Sequence, residues 1–397
     1  MNRIQFSPPD IRDEDIEAVV NTLKSGWITT AKATKDFEKE IAKISNMDKA
    51  LAVNSCTAGV ELILRFLGIK EGDEVIVPAY TYTASASMIN DVGAKIVMID
   101  SYKDDYELNI EDLENLITEK TKAIIAVDIA GRIVDYDRIF EIVNGKRNIF
   151  KANNKRQENL GRIAIIADAA HSFAAEYKGK VSGSIADFTA FSFHAVKNFT
   201  SGEGGAITWT YDDGEDIYKI FNLLALHGQN KGAYEKNQLN SWEYDVIYPG
   251  YKYNMPDILG ALGLSQIKRR DEVFKRRYEI INAYNEAFDK LGIKYLKHEG
   301  KDFKSSGHLY MVHTTLELEE RNNLISLMAD EGIATNVHYK PLPMMTAYKN
   351  LGFDIKDYPN AYNLYKSEIT LPLHTVLTDE DVEYIIEKFT DLIKKFI

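Results

Sequence analysis

"RIAIIADAAHSFAAEY", residues 162–177, carries an uninterrupted apolar run, Ile163 to Ala167, that closes on a carboxylate, Asp168. A short apolar run without polar alternation is a strand covered on both faces. The small-residue stretch behind it, 169–177, reads as a helix. The same unit recurs upstream. "ALAV" (50–53) leads into "TAGVELILRFLG", "DEVIVP" (73–78) into "TASASMINDVG", "KIVMID" (95–100) into "NIEDLENLI", and "KAIIAVD" (122–128) into "DYDRIFEIV". Two further runs, "ADFTAFSF" (186–193) and "GGAITW" (204–209), bring the strands to seven. Strands alternating with helices predict an α/β fold, a mostly parallel seven-stranded sheet between helices. In such a sheet ligands bind at the carboxyl ends of the strands.

The flanks are helical. "RDEDIEAVVNTLKSG" sets Ile16, Val19, Val20 and Leu23 on one face, with Asp13 as N-cap and Gly26 past the end. Between Val143 and Arg162 a polar, basic stretch without a strong period reads as an exposed excursion. A long helix is expected from Pro256 to Leu291, then a strand at "HLYMVHTTL", a helix near 319–331 and a closing amphipathic helix. The expected division is a large domain over 1–269, including the N-terminal helical segment, and a smaller α+β domain over 270–397.

Bulk properties bound the function. The chain has 397 residues, 45% of them hydrophobic, enough for a sizeable core. Sixty acidic against 48 basic residues give a net charge of −12, which argues against nucleic acid or an anionic membrane surface as partner. One cysteine, Cys56, excludes an internal disulfide and fits a reducing compartment. No apolar run approaches a membrane span, and "MNRIQFSPPDIRDED" lacks the core of a signal peptide. The sequence reads as that of a soluble cytoplasmic protein, and no metal site is expected.

Three features meet at the carboxyl edge of the sheet. Thr57 and Ala58 open the helix after the first strand, where free N–H groups and the helix dipole favour phosphate. Asp168 closes an apolar strand, a costly place for a carboxylate without a cation or several donors. Lys197, in "SFHAVKNFTSGEGG" (192–205), is fenced by small residues and glycines. Each has an ordinary structural alternative: a simple helix start, an N-cap, a solvated loop lysine. One cofactor makes sense of all three. Pyridoxal phosphate needs an amine for its aldehyde, a carboxylate for its pyridine nitrogen and a helix start for its phosphate.

The chain also resembles the DegT/DnrJ/EryC1/StrS sugar aminotransferases, within the aspartate aminotransferase superfamily (fold type I). The likeness covers nearly all of it and rests on "SGWITT" (25–30), "NSCTAGVEL" (54–62), "GDEVIVPAYTYTASA" (72–86), "IADAAHSF" (166–173), "FSFHAVKNFTSGEGG" (191–205), "GYKYNMPDILGALGLSQ" (250–266) and "ITLPLHTVLTDEDV" (369–382). The resemblance implies that Lys197 forms the Schiff base with pyridoxal 5'-phosphate and then shuttles the proton. It implies that Asp168 pairs with the pyridine nitrogen and that Tyr82 stacks on the ring. It puts Thr57, Ala58 and Ser192 at phosphate-binding positions and His171 beside the ring. It brings Asn254 to the phosphate from the neighbouring subunit of a homodimer with shared active sites. The implied substrates are an amino-acid donor, L-glutamate, and a nucleotide-linked keto-deoxysugar, aminated at C4, in polysaccharide or deoxyaminosugar biosynthesis. Thr30 and His338 are candidate sugar contacts. C3 amination, another fold-type I reaction and a non-catalytic pyridoxal-phosphate-binding regulator are the alternatives.

The sequence departs from the family pattern in places. Ala31-Lys32 stands where the family shows Gly-Pro, Pro343 replaces a histidine after "PL", and the crossover at 144–161 is longer. Family members that dehydrate sugars carry histidine at the lysine position, and here it is Lys197.

Overall fold

The computed structural model describes residues 3–236 and 242–396. Its centre is a seven-stranded sheet: β1 (Leu51–Val53), β2 (Glu74–Pro78), β3 (Lys95–Ile99), β4 (Thr121–Val127), β5 (Ala164–Ala169), β6 (Phe188–Ser192) and β7 (Gly205–Trp209). Their order is β1-β7-β6-β5-β4-β2-β3, with β7 antiparallel to both of its neighbours and the remaining pairs parallel. Strands β2, β4 and β5 are buried at every residue, as their unalternating apolar sequences require. Two hydrophobic cores, one on each face, fix the sheet between helices.

The helices that position the site are α1 (Asp13–Lys24), α2 (Lys32–Ile44), α3 (Cys56–Phe66), α4 (Thr83–Asp91), α5 (Asp257–Lys268) and α6 (Arg270–Asp289). A third core, built from residues 280–393 together with Ile4, covers a small antiparallel sheet. That sheet joins β8 (Lys294–Tyr295), β9 (Tyr310–His313) and β10 (Glu368–Leu371) in the order β8-β9-β10. Helices α7 (Leu318–Asp330) and α8 (Asp379–Ile393) pack beside it. The chain's start is tied to this unit: Ile4 N–H donates to Gly332 O, and Ala334 N–H donates to Ile4 O.

Four local expectations are corrected. The stretch after Asp168 is not a helix. It turns at Ala174, where φ is 63°, into a hairpin of Glu176–Tyr177 and Lys180–Val181 that pairs with Phe303–Lys304. The excursion at 144–161 holds a short helix, Lys155–Leu160, and is pinned down. Asn154 and Gln157 donate to Leu67 O, and Arg156 donates to Phe66 O, so this segment caps the carbonyls at the end of α3. The long helix breaks between α5 and α6 at Arg269, whose guanidinium reaches Asp10 and Asp15 of the N-terminal segment. Finally, Arg12 rather than Asp13 is the N-cap residue of α1, and two residues of its apolar face, Ile16 and Leu23, are exposed.

Gly205 shows why the run at 201–205 is glycine-rich. A Cβ there would lie 2.4 Å from the carbonyl carbon of Ser55 and 2.5 Å from Cys56 N. Only glycine lets β7 pass against the backbone that starts α3.

Candidate active site

The carboxyl ends of β1, β4, β5 and β6 open into a cavity of about 490 Å³, within the range of roughly 300–1,000 Å³ that small-molecule sites occupy. Thr57, Tyr82, Asp168, His171, Ser192, Lys197 and His338 all line it. Seven of the predicted site residues, from Thr57 to His338 in the chain, therefore converge on one space.

Asp168 ends β5, only 5% exposed, and is well supplied with donors. Ser85 of α4 donates to its Oδ2 at 2.6 Å, while Ala170 N–H (3.2 Å) and the Cys56 thiol (3.8 Å) donate to Oδ1. The carboxylate does not cap a helix. Lys197 sits in the tight turn after β6, its N–H donating to His194 O. Enclosure disfavours its ammonium and lowers its pKa to about 8, a shift that the nearby Cys56 and Asp168 oppose. A free amine is what an aldehyde requires. Capture of pyridoxal phosphate by the apoprotein should therefore accelerate with pH and be half-maximal near about pH 8. A midpoint near the ordinary lysine value of 10.5, in stopped-flow absorbance, would contradict this environment.

At the start of α3, Ser55 accepts from Ala58 N–H at 3.1 Å, so the predicted Ala58 amide is spent on the cap. Thr57 and the first-turn N–H groups of Cys56 and Thr57 remain directed at the strand ends, a suitable cradle for phosphate. Ser192 faces the same space from the end of β6. Tyr82 stands at the rim, 60% exposed, its ring centroid 6.0 Å from that of Tyr339. An exposed aromatic at a cavity mouth is suited to cover a planar ring.

Four histidines line the cavity: His194, with Nε2 3.6 Å from Glu203 Oε1, and three more in its floor and wall, His171, His308 and His338. His171 accepts from Ala130 N–H through Nδ1 at 3.1 Å and meets Tyr339 Oη through Nε2 at 3.0 Å. His308 lies with its ring 4.4 Å from that of His171 and bonds Asn198. His338 is sandwiched against Phe6 and bonds Thr370 Oγ1. Burial lowers the pKa of all three, that of His338 to about 3. These three rings are thus neutral, and Lys197 stands among them with the Asp168 carboxylate in the same cavity.

Three predicted residues, Ala58, Asn254 and Thr30, lie outside the cavity lining. Asn254 donates to Thr30 Oγ1 at 2.6 Å and accepts from Lys252 Nζ at 2.5 Å, and neither Asn254 nor Thr30 lines this cavity. Sequence reasoning passed over Phe6, Cys56, Ser85, His308 and Tyr339. Tyr339 directly follows the predicted sugar contact His338, and His308 opens a stretch read only as a strand.

A mainly parallel sheet that offers a lysine, a carboxylate and a helix start to one cavity is the arrangement that a pyridoxal-phosphate enzyme of fold type I requires. Residues 9–390 match the model of the DegT/DnrJ/EryC1/StrS aminotransferase family, and the chain belongs to that family. Among solved structures, Spr1654 of Streptococcus pneumoniae, described as a sugar aminotransferase, is 50% identical in its PLP form. That match has a TM-score of 0.95 and covers 100% of both chains. Its PMP form is 52% identical, with a TM-score of 0.96 over 99% of this chain and 100% of the other. The spore coat polysaccharide biosynthesis protein SpsC of Bacillus subtilis is 38% identical over 402 residues, 98% of this chain and 97% of its own. The UDP-4-amino-4-deoxy-L-arabinose–oxoglutarate aminotransferase of Shewanella sediminis is 33% identical over 394 residues, 97% of each. The cofactor of the enzyme is pyridoxal 5'-phosphate, and the cavity's donor set fits it.

Proposed function

We propose that this sugar aminotransferase moves an amino group from L-glutamate to the C4 keto carbon of a nucleotide-linked deoxysugar. The observation that carries the reading is the meeting of Lys197 and Asp168 in one cavity at the ends of adjacent parallel strands. Bound pyridoxal phosphate would supply an aldehyde that takes up the donor's amino group, to be held as the amine, and a ring that accepts electrons. Asp168 holds the ring nitrogen protonated. Lys197 anchors the cofactor, and once released it takes and returns the proton at the reacting carbon, with a pKa of about 8 that suits both directions near neutrality. Thr57 and Ser192 hold the phosphate, Tyr82 covers the ring, and His338 and Asn336 offer polar contacts to sugar hydroxyls. The name of the Shewanella sediminis relative supports C4, a uridine nucleotide and glutamate as donor. A single-turnover assay tests the substrate class. Enzyme loaded with pyridoxamine phosphate should regain the absorbance of the pyridoxal form when UDP-, dTDP- or GDP-linked 4-keto-6-deoxyhexoses are added. Return with simple 2-oxo acids alone would make it an ordinary amino-acid transaminase.

The same proposal includes a two-fold dimer with shared sites, built from two domains that meet at 269/270. Asn254 and Thr30 bond each other and do not line their own chain's cavity, and Ile16, Leu23, Ile28 and Trp242 are exposed apolar residues. Both features support a partner that covers this surface and receives Asn254 at its phosphate. Mixing Lys197→Ala and Asn254→Ala subunits should restore part of the activity, because one site of the heterodimer regains both residues. A verified heterodimer without activity would place Asn254 in its own chain's site or outside the chemistry.

A further inference from the structure

The hydrogen bonds around His171 fix where one proton points. Ala130 N–H donates to His171 Nδ1 at 3.1 Å, so that nitrogen carries a lone pair. Burial holds the pKa of His171 well below the usual histidine value, so the ring is neutral and its single proton is on Nε2. Nε2 lies 3.0 Å from Tyr339 Oη, and with the proton on nitrogen the imidazole donates and the phenol oxygen accepts. Tyr339 has one proton of its own. Among the described residues no acceptor takes it, and Oη makes no hydrogen bond other than that to His171. Enclosure raises the pKa of the phenol, so it stays protonated. Both rings line the cavity that holds Lys197 and Asp168.

We propose that Tyr339 is a further active-site residue whose O–H donates to an electron-rich oxygen of the bound ligand, and that His171 is the positioning residue that aims it. The chemical class is an oxygen acceptor beside the reacting carbon. It is supplied either by the sugar substrate or by the ring hydroxyl oxygen of the cofactor. The donor comes from the segment at 336–340, which pairs with β10 through Asn336 and Thr370, and its aim comes from the end of β5. The hydrogen bond therefore forms only when the C-terminal unit and the large sheet are apposed. A neutral imidazole next to a neutral phenol also keeps the donor uncharged, so it orients an oxygen without competing with Lys197 for the proton.

The inference rests on the reading that this cavity holds the cofactor, and the test separates the two. Tyr339→Phe keeps the ring and its packing and removes only the hydroxyl. The holoenzyme variant should retain the cofactor on Lys197 and lose about tenfold to a hundredfold in kcat/KM, the cost of leaving one acceptor unpaired. If the oxygen is the sugar's, the loss is confined to the keto-acceptor half-reaction and the cofactor spectrum is unchanged. If it is the cofactor's, the absorbance band of the resting enzyme and its pH midpoint shift before any substrate is added. Selective [15N]histidine labelling should show His171 protonated at Nε2, with that resonance moving in Tyr339→Phe. Wild-type spectra and kinetics in the variant, or a proton on His171 Nδ1, would overturn the inference. Failure of the wild-type protein itself to hold the cofactor on Lys197 would overturn the functional reading beneath it.

Discussion

Lys197→Ala is expected to keep the fold and the cofactor affinity of the phosphate cradle while losing turnover by at least about 10⁴-fold, the scale on which an anchoring nucleophile acts. Such a loss corresponds to about 5 kcal/mol of barrier. The side chain is half-buried in a turn held by its own backbone, with Lys197 N–H on His194 O and Ser201 N–H on Phe193 O. Removing the amine therefore leaves the turn intact, and a thermal melt should show little change. Neighbouring lysines cannot substitute. Lys178 is committed to Asp135 and Asp137, and it does not line the cavity. A variant that retains measurable multiple turnover would mean that another group carries the proton.

Asp168→Asn is expected to be nearly as damaging, with a fall in kcat on the order of 10³-fold, comparable to the loss of a preorganised electrostatic contact in a closed site. The amide is almost the same shape, so it reports on charge. Asn keeps the acceptor oxygen that Ser85 can reach, but it cannot hold a proton on the ring nitrogen, and a neutral pyridine is a poor electron sink. The three donors now converging on the carboxylate, from Ser85, Cys56 and Ala170, would partly face an NH2 group instead. Bound cofactor with slow turnover is the expected outcome in a steady-state assay at saturating donor. Retention of most of the activity would reduce Asp168 to a structural carboxylate.

The sequence made the sheet legible because a strand covered on both faces must be apolar throughout, and "AIIA" or "VIV" has no other comfortable home. Helix starts and stops were less legible. Residues 169–177 are compatible with a helix in isolation, but the chain needs a left-handed turn at Ala174 to bring Tyr177 back against Phe303, a partner 126 residues away (303 − 177). The same holds for 144–161. Its basic residues suggested solvent, whereas Asn154, Arg156 and Gln157 satisfy carbonyls at the end of α3 that no local pattern announces. In the site, Lys197 and Asp168 stood out because each violates the apolar or small-residue context of its own segment. Ser85, His308 and Tyr339 break no local rule. They become site residues only when α4 and the C-terminal unit are folded against the strand ends.

The role of Lys197 as the cofactor's covalent anchor is open to one direct measurement. Borohydride reduction of the holoenzyme, proteolysis and mass mapping should place the pyridoxyl group on the peptide containing Lys197. Modification of any other lysine, Lys178 or Lys180 included, with Lys197 unmodified would contradict the account.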